Sequence, residues 1–538
     1  MKKTVFIIVL LISAFGYSQE DAWVYFKDKP NSQYYIANPL QMLSQRALDR
    51  RALQNIPLDL LDVPIHQPYI DQITVTTGIT VKASSKWLNC LHIRGTQTVI
   101  QSLSLLSFVD HVTFANANLS RLGITSKCIN YSVVNKVLEN QATYNYGTSG
   151  NQIQMLNGNY LHQQNFTGTG KIIAILDAGF PGVDVATPFQ RLRDNNQILG
   201  GYNFVDRSSN FYSMNSHGTQ VLSTMGGFVD TQLVGTAPDA SYYLFVTEDT
   251  TSETPLEESL WVEAAEMADK LGADVINSSL GYFQFDNPNY SYTYNNMNGS
   301  TAFCSRGANI AFTRGMVVVI SAGNSGNTSN PHISAPADAT NALTVGAVNS
   351  VRNYASFSSI GPSFDGRVKP DVMAQGQSAV VAMPSGALAT NSGTSFSGPI
   401  IAGMVASFWQ AFPNLSNARI VQLIKESCDR YSNPNAQYGY GIPNFQLALN
   451  NALAINQYTS EDFYYIYPNP FNDEVTFSFS LNAISREIII YNSLGQEILR
   501  KKSDNKLDLI SLQSFENGIY FYKIASANAN FTGKLIKK

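Results

Sequence analysis

Three side chains that together can carry out nucleophilic attack on a carbonyl stand in order along the chain: Asp177, His217 and Ser395. A serine hydroxyl is a weak nucleophile until a neighbouring base takes its proton, and imidazole is the usual base. A carboxylate then fixes the imidazole tautomer and stabilises the imidazolium. The separations are 40 residues (217−177) and 178 residues (395−217), so the three lie on different elements. Asp, His, Ser is one of the chain orders in which such a triad occurs.

Taken singly, each residue has an ordinary structural use. A Ser at a helix start is commonly an N-cap, and an Asp after a strand commonly a turn or cap residue. The local settings add weight. Asp177 follows the apolar run Ile172–Leu176, so it lies just past the C-terminal end of a buried strand, where open parallel sheets form their sites. His217, within Ser216-His217-Gly218-Thr219-Gln220, opens a short helix; of six histidines (66, 92, 111, 162, 217 and 332) it alone has such a setting. Asn324 is bracketed by small residues in Ser321-Ala322-Gly323-Asn324-Ser325 at a strand end, where its NH₂ can donate to an oxyanion. Ser395, in Ser392-Gly393-Thr394-Ser395-Phe396-Ser397-Gly398-Pro399, opens a helix running through Ile400, Met404 and Phe408. Pro399 is expected in the first turn of that helix, where a missing N–H costs nothing.

These residues need a scaffold. From about Asn140 to Ala454, short apolar runs alternate with helical stretches, which predicts a parallel sheet covered by helices, an α/β fold. Ile172–Leu176, Tyr242–Phe245, Val275–Ile276, Met316–Ile320 and Ala342–Val345 read as buried strands. Leu256–Leu271 reads as a helix stopped by Gly272. Before this region, Asp21–Asn118 alternates strands and helices as a small α+β unit of β-α-β-β-α-β type, with a helix over Leu40–Gln54 whose Arg46, Arg50 and Arg51 face outward. After it, from Tyr467, turn residues separate short strands in which Val475, Phe477 and Phe479 alternate with polar residues, as in a small β-sandwich.

A length of 538 residues exceeds one hydrophobic core, in line with several domains. The net charge of -4 gives no ground for nucleic acid as a partner. Lys2 and Lys3 precede an apolar run, Val5–Phe15, too short to span a bilayer at about 20 residues. That pattern is a cleavable signal peptide, so the chain is exported. The cysteines Cys90, Cys128, Cys304 and Cys428 include no CxxC pair, which disfavours zinc. In an exported chain Cys304 and Cys428 are candidates for a bridge, and four cysteines leave three pairings open.

Read together, the segments "DAG" at Asp177, "SHGT" at Ser216, "SAGN" at Ser321 and "GTSFSGP" at Gly393 closely resemble the motifs of the subtilase family. Asn277-Ser278-Ser279-Leu280-Gly281 and Lys369-Pro370-Asp371-Val372 match as well. The resemblance implies a three-layer subtilisin-like domain and a serine endopeptidase with Asp177, His217 and Ser395 as catalytic residues and Asn324 in the oxyanion hole. It further implies that Ser279, Leu280 and Gly281 pair with the substrate backbone, while Ser321, Ala322 and Gly323 line the pocket for the residue before the cleaved bond. One departure is Ala178, where Ser or Thr is more usual; it removes a local hydrogen bond. The resemblance leaves two other uses of the scaffold as alternatives, an inactive surface binding protein and a peptide-ligating subtilase. His217 and Asn324 argue against the related sedolisin group, which uses a carboxylate base and an Asp in the oxyanion position.

The flanks carry resemblances of their own. Gln45-Arg46-Ala47-Leu48-Asp49-Arg50-Arg51-Ala52 and Ser85-Lys86-Trp87-Leu88-Asn89 resemble subtilase propeptides of Gram-negative secretors. Tyr467-Pro468-Asn469-Pro470-Phe471, Gly518-Ile519-Tyr520 and Gly533-Lys534 resemble the type IX secretion sorting domain. The implied organisation is a signal peptide over 1–19, propeptide 20–118, maturation region 119–150, peptidase domain 151–455, linker 456–466 and sorting domain 467–538. The implied partners are protein substrates, the chain's own propeptide and the outer-membrane secretion machinery. No cofactor is expected for catalysis. Structural calcium is frequent in the family, but no ligand set is assignable: Asp286 stands alone in its Asn- and Tyr-rich insertion, and Glu248, Asp249, Glu253, Glu257 and Glu258 read as a solvated face at a helix start.

Overall fold

Seven parallel strands form the frame of the central region. A computed structural model describes residues 19–119, 144–459, 464–479, 485–505, 507–526 and 530–538. The expected signal peptide up to residue 18, Cys128 and most of the expected maturation region lie outside the described residues. In spatial order the strands are Val372–Gln375, Leu343–Val348, Val317–Ser321, Val275–Ser278, Ile172–Asp177, Ser241–Val246 and Ile198–Asn203. Every neighbouring pair is parallel. Ile172–Asp177, Val275–Ser278 and Val317–Ser321 are buried along their whole length, which is why they read as continuous apolar runs. The chain builds first to one side of Ile172–Asp177 and then, from Val275, to the other. The order thus reverses between two central strands, the place where such sheets hold their sites.

The helix Pro255–Leu271 begins at a capping box made by Thr254 and Glu257 and ends at Gly272, whose φ of 85° is left-handed. A second helix, Thr394–Ala411, is buried almost throughout and packs on the sheet. Pro399 is the sixth residue of this helix, not a first-turn residue as expected. Its missing N–H leaves the Ser395 carbonyl without an intrahelical donor, and the Ser279 hydroxyl donates to that carbonyl at 3.1 Å instead. The Lys369–Asp371 motif is structural: the Lys369 ammonium, 2% exposed, donates to Asp371 at 2.8 Å and to the Ala342 carbonyl at 2.8 Å.

Residues 19–119 contain a four-stranded antiparallel sheet in the order Ile79–Ser85, Cys90–Thr96, Gln19–Phe26, Val109–Phe114. One face is laid on the central region. Trp23 stacks on Phe303 with ring centroids 5.0 Å apart and donates to Ser259 at 2.9 Å. Glu266 accepts hydrogen bonds from Ser85 and from the backbone N–H groups of Lys86 and Trp87. The expected outward arginines are a correction. Only Arg46 keeps substantial exposure, while Arg50 and Arg51 are 5% and 2% exposed. Arg51 pairs with Asp62 at 2.9 Å and with Asp269 at 2.8 Å, and Arg50 pairs with Asp269 as well. Arg50 points away from its own unit into the C-terminal end of the helix Pro255–Leu271, and Arg51 bridges Asp62 of its own unit to Asp269 there.

Cys90, Cys304 and Cys428 are buried free thiols, so the bridge considered between Cys304 and Cys428 is not formed. Residues 450–538 make a separate compact unit. Its strands Tyr464–Tyr467, Glu474–Phe479 and Leu507–Ser511 form one sheet, and Arg486–Tyr491, Glu497–Ser503, Gly518–Ser526 and Asn530–Lys537 form another. Val475, Phe477 and Phe479 turn into the core of this sandwich, as their alternation predicts. Among the described residues no helix is long and apolar enough to cross a membrane.

Candidate active site

Asp177 closes its strand fully buried, and His217 opens the helix His217–Gly226 against it. The ring Nδ1 of His217 lies 2.7 Å from Asp177 Oδ1. An ionised carboxylate only accepts, so Nδ1 carries the proton and Nε2 is left as the acceptor. Gly218 permits the approach: a Cβ there would lie 2.5 Å from the Gly179 carbonyl and 3.0 Å from Asp177 Cβ. Asp177 Oδ1 also accepts from the Ala178 N–H at 2.8 Å, while Oδ2 is buried without a partner.

Ser395 stands in the first turn of the helix Thr394–Ala411, 8% exposed. Its hydroxyl donates to the Ser279 carbonyl at 3.5 Å. Among the described residues it makes no hydrogen bond to His217, although the imidazole faces the same helix start, 6.2 Å from the Phe396 ring between centroids. Such contacts are often long in the absence of substrate and tighten when it binds.

Asn324 is oriented by a residue that sequence reading passed over. Asn324 Oδ1 accepts from the backbone N–H of Thr394 at 2.8 Å and from its hydroxyl at 3.1 Å, so the amide NH₂ is the end left to donate. The Thr394 hydroxyl accepts from the Gly323 N–H at 3.1 Å, and its carbonyl accepts from the Ser321 hydroxyl at 2.8 Å. Thr394 therefore ties the Asn324 loop to the residue before Ser395. The available signal was a hydroxyl residue immediately preceding the serine.

One cavity of about 680 Å³ joins Asn324, Thr394 and Ser395. Ser279, Leu280 and Gly281 line it on one side, Ser321, Gly323 and Asn324 on another, and Thr394 and Ser395 at the helix start. Ala322, the sixth expected lining residue, is fully buried in the hydrophobic core and does not line it.

The electrostatics around the imidazole have two opposing parts. Burial disfavours the charged ring of His217, but the adjacent Asp177 carboxylate outweighs it, so the pKa lies above the ordinary histidine value. The acidic segment nearby is not the solvated face expected. Glu248, Glu257 and Glu258 are 8%, 2% and 0% exposed. Burial, and then the charge of neighbouring glutamates, push Glu248 up to about 8 and Glu257 up to about 9. Carboxylate oxygens of Glu248, Glu253 and Glu257 lie within 4.8 Å of one another. Burial and the crowding of carboxylates raise the pKa of each, and no metal ligands are assigned here.

Sequence comparison decides the family. The profile of the Subtilase family matches residues 168–441, just over half of the chain and the whole span from Asp177 to Ser395. The chain belongs to the subtilase family. Subtilisin NAT of Bacillus subtilis subsp. natto is 33% identical over 291 residues, 54% of this chain and 68% of its own length. The subtilisin of Bacillus pumilus is 32% identical over 54% of this chain and 94% of its own. Subtilisin DY of Bacillus licheniformis is 30% identical over 55% and 97%. The profile of the Peptidase S8 propeptide domain, Bacteroidota, matches residues 21–130, and that of the secretion system C-terminal sorting domain matches residues 465–538. This subtilase is thus a subtilisin-like serine endopeptidase, made as a zymogen and delivered to the surface or exterior of a Gram-negative bacterium through a type IX sorting domain.

Proposed function

We propose that this subtilase cleaves protein substrates through an acyl-enzyme formed on Ser395. The observation that carries the reading is the 2.7 Å contact of His217 Nδ1 with buried Asp177, with the imidazole 6.2 Å from the Phe396 ring, next in the chain to the Ser395 that lines the cavity with Asn324. Ser395 Oγ attacks the scissile carbonyl while His217 Nε2 takes its proton. His217 then gives that proton to the leaving amine, and a water repeats the sequence to release the acid. Asp177 holds the tautomer and stabilises the imidazolium. The Asn324 NH₂ and the Ser395 N–H bind the oxyanion. The acyl half of the substrate lies as an added strand along Ser279–Gly281, with the side chain before the cleaved bond beside Ser321 and Gly323. In this reading the propeptide, 20–118, is cut from the peptidase domain, 151–455, within 119–150, and the sorting domain, 467–538, addresses the zymogen for export.

The test is covalent. A fluorophosphonate should form a single adduct on Ser395 of the matured protein, and a serine that stays unlabelled in a folded sample refutes the reading. Asn324→Ala should lower kcat by about 10²–10³ with little change in KM, a magnitude carried over from subtilisin itself. Steady-state kinetics on one peptide decide it; an equal rise in KM would assign Asn324 to ground-state binding instead.

A pH profile follows from the charge balance at His217. The imidazole must be neutral to act as base, so kcat/KM should rise with pH through the pKa of His217. Because Asp177 holds that pKa above the ordinary value of about 6.5, the acid limb should have its midpoint above 6.5. Replacement Asp177→Asn removes the anion and should move the midpoint down, measured on the residual activity. A midpoint that stays in place would exclude the pair as its origin.

A further inference from the structure

Both charged side chains that line the cavity are acidic, Glu253 and Asp286. They are locked together through the backbone: Asp286 Oδ2 accepts from the Glu253 N–H at 3.1 Å, and the Glu253 carbonyl accepts from the Asp286 N–H at 3.0 Å. Both side chains are exposed, and among the described residues neither has a cationic partner. Partial desolvation, and then the charge of Asp286, hold the Glu253 carboxyl above the ordinary range. Carboxylate oxygens of Glu248 and Glu257 lie within 4.8 Å of that of Glu253, adding to the acidic character of this end. Phe283 and Phe285 line the cavity beside the pair. Aromatic walls with carboxylates at the rim match a side chain that has an apolar stem and a cationic head.

We infer that this end of the cavity is a subsite for a lysine or arginine of the substrate, with Glu253 and Asp286 as the residues that determine specificity. The inference rests on the peptidase reading above. The segment that starts at Ser279, beside Ser395, reaches Asp286 seven residues on (286−279), so the basic residue belongs to the acyl half of the substrate that lies along this segment. The charge pair forms before and during acylation, so it acts on kcat/KM.

The test uses matured enzyme and internally quenched peptides that carry Lys, Gln or Glu at each position of the acyl half in turn. At one position Lys should exceed Gln by ~10-fold in kcat/KM, and Gln should exceed Glu. The preference should shrink as salt rises from low to high concentration. In Glu253→Gln/Asp286→Asn the ratio of Lys to Gln should fall towards 1. Because it is a ratio, it is read only on enzyme that labels with fluorophosphonate; if the double variant does not fold, Asp286→Asn alone should lower the ratio. Equal rates for Lys, Gln and Glu at every position in the wild type overturn the subsite, and so does a preference that survives in the labelled double variant. An enzyme that cleaves no peptide and takes no label fails at the peptidase reading, a separate result from cleavage without preference.

Discussion

Ser395→Ala should lower kcat on a peptide substrate by on the order of 10⁶, a scale carried over from subtilisin, and should leave the fold in place. The catalytic loss is large because His217 and Asp177 have nothing to activate once the hydroxyl is gone. What remains is the oxyanion hole and substrate binding, worth about 10³–10⁴ over water. The structural loss is small. The hydroxyl makes one long contact, 3.5 Å to the Ser279 carbonyl, and the helix is held by other groups, among them the Ser279 hydroxyl on the Ser395 carbonyl. Thermal unfolding of the variant should therefore lie within about 1 kcal/mol of wild type. Secreted material should retain its propeptide, visible by N-terminal sequencing, if the enzyme makes that cut itself. Residual activity above a few per cent would remove Ser395 from the nucleophile's role.

The second large effect concerns the contact that keeps the zymogen together. Asp269→Asn should weaken propeptide binding by about 10²–10³-fold. Asp269 is fully buried and accepts from both Arg50 and Arg51. Removing its charge leaves the buried Arg50 guanidinium short of an anion and Arg51 with Asp62 alone, a loss of about 3–5 kcal/mol when one partner of a buried pair is deleted. At 1.4 kcal/mol per tenfold, the low end of that range already exceeds a hundredfold. The matured enzyme no longer carries Arg50 and Arg51, so its own activity should change little. Inhibition of matured wild-type and Asp269→Asn enzyme by added propeptide measures the difference; equal inhibition constants would show that the arginines contribute shape alone.

The same interface has a pH dependence with two limbs. Burial opposes the charge on Asp269, but Arg51 and Arg50 outweigh it and hold its pKa below the ordinary value. Its contribution to docking is complete above about pH 3.9 and is lost as the pH falls below that. Glu266, beneath Ser85, Lys86 and Trp87, is pushed by burial up to about 7. Docking that raises a carboxyl pKa takes up a proton, so this contribution is complete at low pH and is lost as the pH climbs through about 7. Propeptide affinity should thus be greatest in mildly acidic solution and decline towards alkaline pH.

Much of the fold was legible because its signals are local. The strand Ile172–Asp177 and the helix Pro255–Leu271 follow from an unbroken apolar run and from a helical period stopped by glycine, and each was located to within a residue. Val372–Gln375 and Ile198–Asn203 were not anticipated as strands. The first is a four-residue strand and the second carries Gly200 and Gly201, so neither offers a long apolar run. Asp177, His217, Asn324 and Ser395 stood out in the sequence for a related reason: small residues sit beside each of them in the chain.

What the amino-acid order could not contain is which surfaces meet. Arg50 and Arg51 have the helical spacing of solvent-facing residues, and only the docking of one unit on another makes them buried cations. Glu248 and Glu257 have the composition of a solvated helix start, and only the packing around them raises their pKa values. Thr394 looks like a spacer until the loop of Asn324 is seen to hang from it. In each case the chemistry of the residue was plain from its type, but its charge state and role depend on desolvation by groups far away in the chain, a property of the assembled fold alone.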